Sequence, residues 1–306
     1  MGNKYKAYSV VAIRNLILNS SLLTGFVMNI IMASILATLL LIFKPDLNPK
    51  VFINFDSNSL SLIKLGVLML IFFLFNNVSL IMQDVMQDRD SKVSEIINTS
   101  IGEKHYIFGK LMAAYMFMIV LILSLTFAII IVGSVFTAIT STGFNIFNDI
   151  IQPMFNLVKS QDFLVLAIIV FMIIMTITTS ILFTLALSIK IVKLTEAPPV
   201  ALVILLPYFI LFGLFLILPV ENVEQWTAIS LVAMFIPLVS PIFILINIAI
   251  NGFGGMSFIA ILISIIYIYI IFRGTTNIYK TAFYTREKLS ILQLIKYSWK
   301  GNLWVY

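Results

Sequence analysis

Long apolar runs alternate with short polar stretches along this chain, and the runs have the length of membrane-crossing helices. Residues 22–43, 61–82, 106–136 and 163–189 each exceed the roughly 20 residues that a helix needs to cross a bilayer. A fifth run opens at Pro198-Pro199, where a missing N–H costs little in the first helical turn, and a last one covers residues 256–272. Residues 228–250 are equally apolar but are interrupted by Pro237 and Pro241. Ahead of the first run, Tyr5, Tyr8, Val11, Ile13, Leu16 and Ile17 alternate with Lys4, Lys6, Arg14 and Asn15. That mixture predicts an interfacial helix over residues 1–21 leading into the membrane, with its tyrosines at headgroup level. The first apolar run is too long for a cleavable leader and is expected to remain as the first span. The pattern predicts an all-α, polytopic membrane protein whose single domain occupies residues 1–306.

Charge decides how the segment 228–250 crosses. If it spanned fully there would be seven spans, dividing Lys and Arg into nine on the cytoplasmic side and ten outside, against the positive-inside bias. With six spans the cytoplasmic side holds 15 of the 19 basic residues. The expected architecture is therefore six transmembrane helices plus a re-entrant hairpin over residues 228–250, with Pro237, Ser240 and Pro241 at its break. Both termini fall in the cytoplasm. Broken backbone at membrane depth is tolerated only where protein buries it.

Charge is densest around the junction of the second and third runs. The stretch from Asp84 to Lys110 holds nine of the chain's 32 charged residues. Within it, Val93, Ile96, Ile97 and Ile101 recur at helical spacing opposite Asp88, Lys92, Glu95 and Asn98, which predicts an amphipathic helix at the inner membrane face. A solvated interfacial helix and a partner-docking helix are both compatible with that pattern. In the tail, over residues 274–306, Leu289, Leu292, Ile295 and Trp299 share a helical face flanked by lysines and are expected on the inner leaflet.

Composition narrows the class further. Of 306 residues 61% are hydrophobic and 10% charged, with mean hydropathy +1.11, whereas soluble domains carry about 25% charged residues. The net charge of +6 is spread along segments flanking the spans, so it reads as topology signal and lipid-headgroup contact rather than nucleic-acid binding. With no cysteine there is no disulfide and no thiol chemistry, and the single histidine, His105, sits at a membrane boundary and forms no metal site. Polar residues inside the runs are few. Asn76 and Asn77 need partners from neighbouring helices or a translocation path. Thr176, Ser180, Thr184 and Ser188, spaced by four, share one helix face that either packs closely or lines a wet path.

Three segments resemble a known family. Glu95-Ile96-Ile97-Asn98-Thr99-Ser100-Ile101, followed by Gly109-Lys110, is similar to the cytoplasmic coupling loop of ABC type-2 exporter permeases, and most similar to their NatB-like, sodium-exporter branch. Phe235-Ile-Pro-Leu-Val-Ser-Pro241 resembles the external re-entrant segment of that family. Ile278-Tyr279-Lys280 and residues 288–297 resemble the NatB-like C-terminus, although Ala282 and Thr285 stand where that branch often has glycine. Residues 44–60 form a short loop where the branch usually carries a large external domain. The resemblance implies an N-terminal elbow helix, pairing with a second copy or a related permease, and two ATPase subunits per complex that bind ATP and magnesium. It also implies that the loop at residues 84–105 docks on those subunits through Asp88, Arg89, Lys92, Glu95, Thr99 and Ser100, in a bacterial plasma membrane.

The chain itself carries no phosphate-binding G-x-x-x-x-G-K-[ST] loop, so it is expected to be a transport subunit and not an enzyme. No charged residue sits deep in any expected span, which disfavours an ion- or proton-coupled carrier. The expected function is export of an amphipathic or hydrophobic cargo, a membrane-active peptide or lipid-like compound, along a path including Asn76, Asn77, Thr176, Ser180 and Thr184. Sodium export is the alternative, and an ATPase-independent channel or a membrane scaffold is the reading from a different class.

Overall fold

The computed structural model describes residues 57–90, 102–140, 163–191, 196–218, 222–282 and 289–299, with isolated helical positions from Val27 to Ile35. Among them the chain is helical with no strand: α1 Ser57–Asp90, α2 Glu103–Thr140, α3 Phe163–Ser188, α4 Ala197–Ile217, α5 Val223–Ala233, α6 Ser240–Asn251, α7 Gly255–Ala282 and α8 Ile291–Trp299. Four stretches are long and apolar enough to cross a membrane: Glu103–Val132, Ala167–Ser188, Pro199–Ile217 and Gly255–Ala282. They match four of the runs read from the sequence, and the chain is an all-helical, multi-pass membrane protein. The second run lies within α1. The interfacial helix expected at residues 1–21 lies outside the described residues.

α3 is the hub of the bundle, packing against α1, α2, α4, α6 and α7. Two buried clusters form around it. One joins α1, α2, α3, α7 and α8 through residues such as Ile107, Leu121, Leu182 and Leu294. The other joins α1, α3, α4, α5, α6 and α7 through residues such as Leu74, Met172, Phe215 and Ile244. In the second cluster Trp226 of α5 is fully buried and stacks on Phe215 of α4 at 5.1 Å between ring centres. Large apolar side chains remain exposed along the outer faces of α2, α4 and α7, Leu123, Leu206 and Ile266 among them. An apolar exterior is the expected dress of a bundle whose solvent is lipid.

The apolar segment 228–250 is split. α5 ends at Ala233 and α6 begins at Ser240, with turns between them. The helices have 11 and 12 residues, so each is about 17–18 Å long, well short of a hydrocarbon core of roughly 30 Å. They fold back on one another, and Asn247 of α6 donates to Ser230 of α5 at 3.2 Å. Pro237 lies in the break, whereas Pro241 occupies the first turn of α6, where it starts the helix rather than interrupting it.

The break frees backbone carbonyls, and nearby hydroxyls take them up. Ser240 donates to the Met234 carbonyl at 2.5 Å and shares a hydrogen bond with Ser264 of α7 at 2.7 Å. Tyr208 of α4 donates to the Leu238 carbonyl at 2.9 Å and also meets Ser180 of α3 at 2.7 Å. Ser257 of α7 donates to Asn247 at 3.2 Å. The hairpin is thereby sewn to α3, α4 and α7 through polar groups that would otherwise be stranded in an apolar interior.

Tyr208→Phe keeps the ring but leaves the Leu238 carbonyl without that donor. It is expected to destabilise the protein by about 1–3 kcal/mol, read as a lower midpoint of thermal unfolding in mild detergent. An unchanged midpoint would mean that water, not Tyr208, satisfies the break.

Candidate functional site: a charged joint between two helices

α1 and α2 supply the two ends of the stretch Asp84 to Lys110, where the chain's charge is densest. With 34 and 38 residues, they are about 51 and 57 Å long at about 1.5 Å per residue, so both outreach a hydrocarbon core of roughly 30 Å. The apolar run of α1 stops at Met82, but the helix continues to Asp90. α2 starts after Gly102, whose φ of 83° suits a residue without a side chain. The stretch 84–105 is therefore not one loop: residues 84–90 and 103–105 are helical, and residues 91–101 lie outside the described residues.

The two helix ends are clamped together by charge. Asp84 and Asp88 are one turn apart on α1 and face α2. The Lys110 ammonium of α2 lies between them, ion-paired to Asp84 and at 2.7 Å from Asp88. All three are buried, with Lys110 only 3% exposed. Tyr106, one turn before Lys110, donates to Asp88 at 2.8 Å, and the ammonium sits 5.4 Å from the centre of its ring. The Tyr106 ring also meets Tyr279 of α7 at 5.5 Å, and the Tyr279 hydroxyl reaches Ser188 of α3 at 3.2 Å. A polar chain thus connects α1, α2, α7 and α3 at one end of the bundle.

Two carboxylates against one ammonium leave a net negative charge in a buried place. Burial pushes the Asp84 carboxyl above its ordinary value; Lys110 pulls it down and Asp88 pushes it up again. The arrangement contains no nucleophile–base pair, and among the described residues no group of three or more His, Cys, Asp or Glu could hold a metal ion. What it can do is mechanical: a buried pair resists separation, because pulling it apart strands a charge.

Of the residues expected to dock a partner, the structure places Asp88 in this joint, and Arg89 is helical at the end of α1. Lys92, Glu95, Thr99 and Ser100 lie outside the described residues. The residues expected along a path are dispersed. Asn77 is buried on α1, its amide donating to the Met118 sulfur of α2 while its Oδ1 has no partner among the described residues. Asn76 lies on the same helix. Thr176, Ser180 and Thr184 are buried in α3, and each donates to a carbonyl one turn back, at 2.9, 2.8 and 2.7 Å. Burial and satisfied bonds favour the packing role of this stripe over a wet path. Pro237 lies in the hairpin break and Ser240 and Pro241 in the first turn of α6, far along the chain from the joint.

Sequence reasoning overlooked Lys110 and Tyr106 as members of a site, taking the lysine as a marker of topology. A signal was present. Asp84/Asp88 and Tyr106/Lys110 are both i, i+4 pairs at facing helix ends, the spacing that puts each pair on one face.

Lys110→Met leaves both carboxylates uncompensated and should cost roughly 3–5 kcal/mol at neutral pH. Adding Asp84→Asn and Asp88→Asn should restore most of it. The sign with pH follows from Asp84, whose folded value lies above its ordinary 3.8. Its contribution to stability is full below that ordinary value and is lost as pH rises through the folded one, so Lys110→Met should regain stability on acidification. Thermal unfolding at neutral and mildly acidic pH measures both, and a Lys110→Met protein as stable as the parent at neutral pH would show the charges to be hydrated. No protein-family model, curated protein or solved structure matches this chain, so its functional reading rests on its own residues and geometry.

Proposed function

We propose that this chain is the permease subunit of an ATP-driven ABC exporter in a bacterial plasma membrane. It would have six spans, an interfacial elbow helix at residues 1–21, an external re-entrant hairpin over residues 228–250 and cytoplasmic termini. It works with a second copy or a related permease, above two ATPase subunits that hold ATP and magnesium; the chain itself is not an enzyme. The observation that carries this reading is the joint. Two helices longer than the bilayer core are clamped by Asp84 and Asp88 on one flank of residues 91–101 and Lys110 on the other, and those residues carry most of the motif resembling a coupling loop. A push on that segment from a docked ATPase would move α1 and α2 together, and Tyr106, Tyr279 and Ser188 would carry the motion to α7 and α3. The hairpin supports the same reading, since its helices are individually too short to span.

The favoured cargo is amphipathic or hydrophobic, such as a membrane-active peptide or a lipid-like compound, because the chain offers 26 Phe and 14 Met and few polar groups in its spans. Thr176, Ser180 and Thr184 are closed in by neighbouring helices, so their meeting a cargo requires those helices to part. A second reading, sodium export, draws on Asp84 and Asp88, which are carboxylates of the kind a cation path requires. Lys110 already neutralises one of their two charges, which leaves less for a cation.

Glu95→Lys reverses a charge in the segment assigned to docking. It is expected to weaken co-purification of the ATPase and to reduce export while membrane insertion stays normal. Mass spectrometry of proteins retained with the parent and with the variant tests this, and equal recovery of the ATPase would remove Glu95 from the contact. Cells expressing the chain with its ATPase should resist amphipathic peptides more than cells without it. Protection against sodium alone, with unchanged peptide tolerance, would establish the second reading.

A further inference from the structure

α8 is built to present two faces. Its start is a capping box: Gln293 N–H donates to the Ser290 hydroxyl at 3.2 Å, and the Ser290 N–H donates back to the Gln293 side chain at 2.7 Å. The positions of a hydrophobic staple, Leu289 before the cap and Leu294 in the first turns, are both buried in the cluster shared by α1, α2, α3 and α7. Near its other end, Asn277 of α7 donates to the Ser298 carbonyl at 2.9 Å, and a side-chain carbon placed on Gly274 would lie 3.4 Å from Ser298. Cap, staple and clamp fix which side of α8 turns inward, and Leu289 is on that side.

The outer side is then determined. Ile291, Leu292, Ile295 and Trp299 lie on one arc of the helix and are 46%, 78%, 52% and 83% exposed. The height of this arc relative to a bilayer follows from α7. Its 28 residues measure about 42 Å, which matches the roughly 40–45 Å of a bilayer with its headgroups. An uncharged run from Gly255 to Phe272 ends at Arg273, the first charged residue of α7. Ser298 is clamped at Gly274 and Asn277, directly past that boundary. The apolar arc of α8 therefore lies in the headgroup band. Arg273 and Lys280 on α7 and Lys296 on α8 are exposed around it, and Arg286, Lys288 and Lys300 flank α8 in sequence against one acid, Glu287.

We infer that α8 is a membrane-surface anchor whose outer face, Ile291, Leu292, Ile295 and Trp299, is covered by anionic phospholipid of the bilayer that α7 crosses. An apolar arc with a tryptophan at headgroup level inserts shallowly, and neighbouring Lys and Arg draw acidic headgroups. The anchor would hold the α7–α8 end of the bundle, and with it the Tyr106–Tyr279 contact, at a fixed depth. This does not depend on the chain acting with an ATPase.

The chain has no cysteine, so Leu292→Cys and Gln293→Cys, on and off the apolar arc, can each carry a single fluorophore. The full-length protein is reconstituted in vesicles containing either brominated phosphatidylglycerol or brominated phosphatidylcholine at equal mole fraction. Position 292 should be quenched more than position 293, and by phosphatidylglycerol more than by phosphatidylcholine. Adding Lys296→Gln to the Leu292→Cys protein should lower the preference for phosphatidylglycerol by about fivefold, the worth of one basic residue at an acidic surface. Equal quenching at the two positions would show the arc in water or covered by protein, a second copy included, and would overturn the inference. Equal quenching by the two lipids at position 292 would overturn its anionic preference.

Discussion

A polar group carried into this apolar bundle needs a partner there, because lipid offers none. The hydroxyl row of α3 is where that constraint is met most economically. Thr176, Ser180 and Thr184 each return a hydrogen bond to their own helix one turn back, Ser188 one three residues back, which removes the penalty of burying them. Two of them also reach outward, Ser180 to Tyr208 and Ser188 to Tyr279. Through Tyr208 the row holds the broken backbone of the α5–α6 hairpin, and through Tyr279 it touches the charged joint of α1 and α2. Hairpin and joint thus attach to the same helix, eight positions apart along its length.

The joint and the hairpin solve different problems. At the hairpin, neutral hydroxyls meet stranded carbonyls, an arrangement that is satisfied in place and gives a defined geometry to backbone that cannot be helical. At the joint, full charges are buried, and their attraction must offset a large desolvation cost. Such a pair is weak evidence for stability in itself. Its consequence is sharper: α1 and α2 cannot slide or part at Lys110 without exposing or stranding charge. A rigid link at that place and softer, lipid-facing packing along the outer faces of α2 and α7 would favour movement of these helices as units. That is the property a subunit needs if force enters through residues 91–101.

The same division between inner tie and outer lipid contact recurs in α8, where one side enters the core and the other remains apolar and exposed. A helix of 9 residues would be marginal alone. Its cap, its staple and the Asn277–Ser298 bond hold it, and only then does its outer arc acquire a fixed orientation.

Apolar run length was enough to announce an all-helical membrane protein and four of its candidate spans, because a bilayer imposes a nearly fixed length on whatever crosses it. The interruption of residues 228–250 was equally legible, since Pro237 offers no backbone N–H and its ring crowds the preceding turn. Spacing by four placed Thr176, Ser180, Thr184 and Ser188 on one face, but that spacing is common to a wet path and a packed seam. Only the positions of Tyr208 and Tyr279, 28 and 91 residues from their partners, show that two of these hydroxyls meet neighbouring helices. In the tail, periodicity grouped Leu289 with Leu292, Ile295 and Trp299, whereas contact with α7 turned Leu289 inward and left Ile291 with the outer set. Lys110 looked like a boundary marker because a sequence records charge but not what faces it. Pairing across 26 residues with Asp84 depends on two helices folding back against each other, which is a property of the tertiary structure alone.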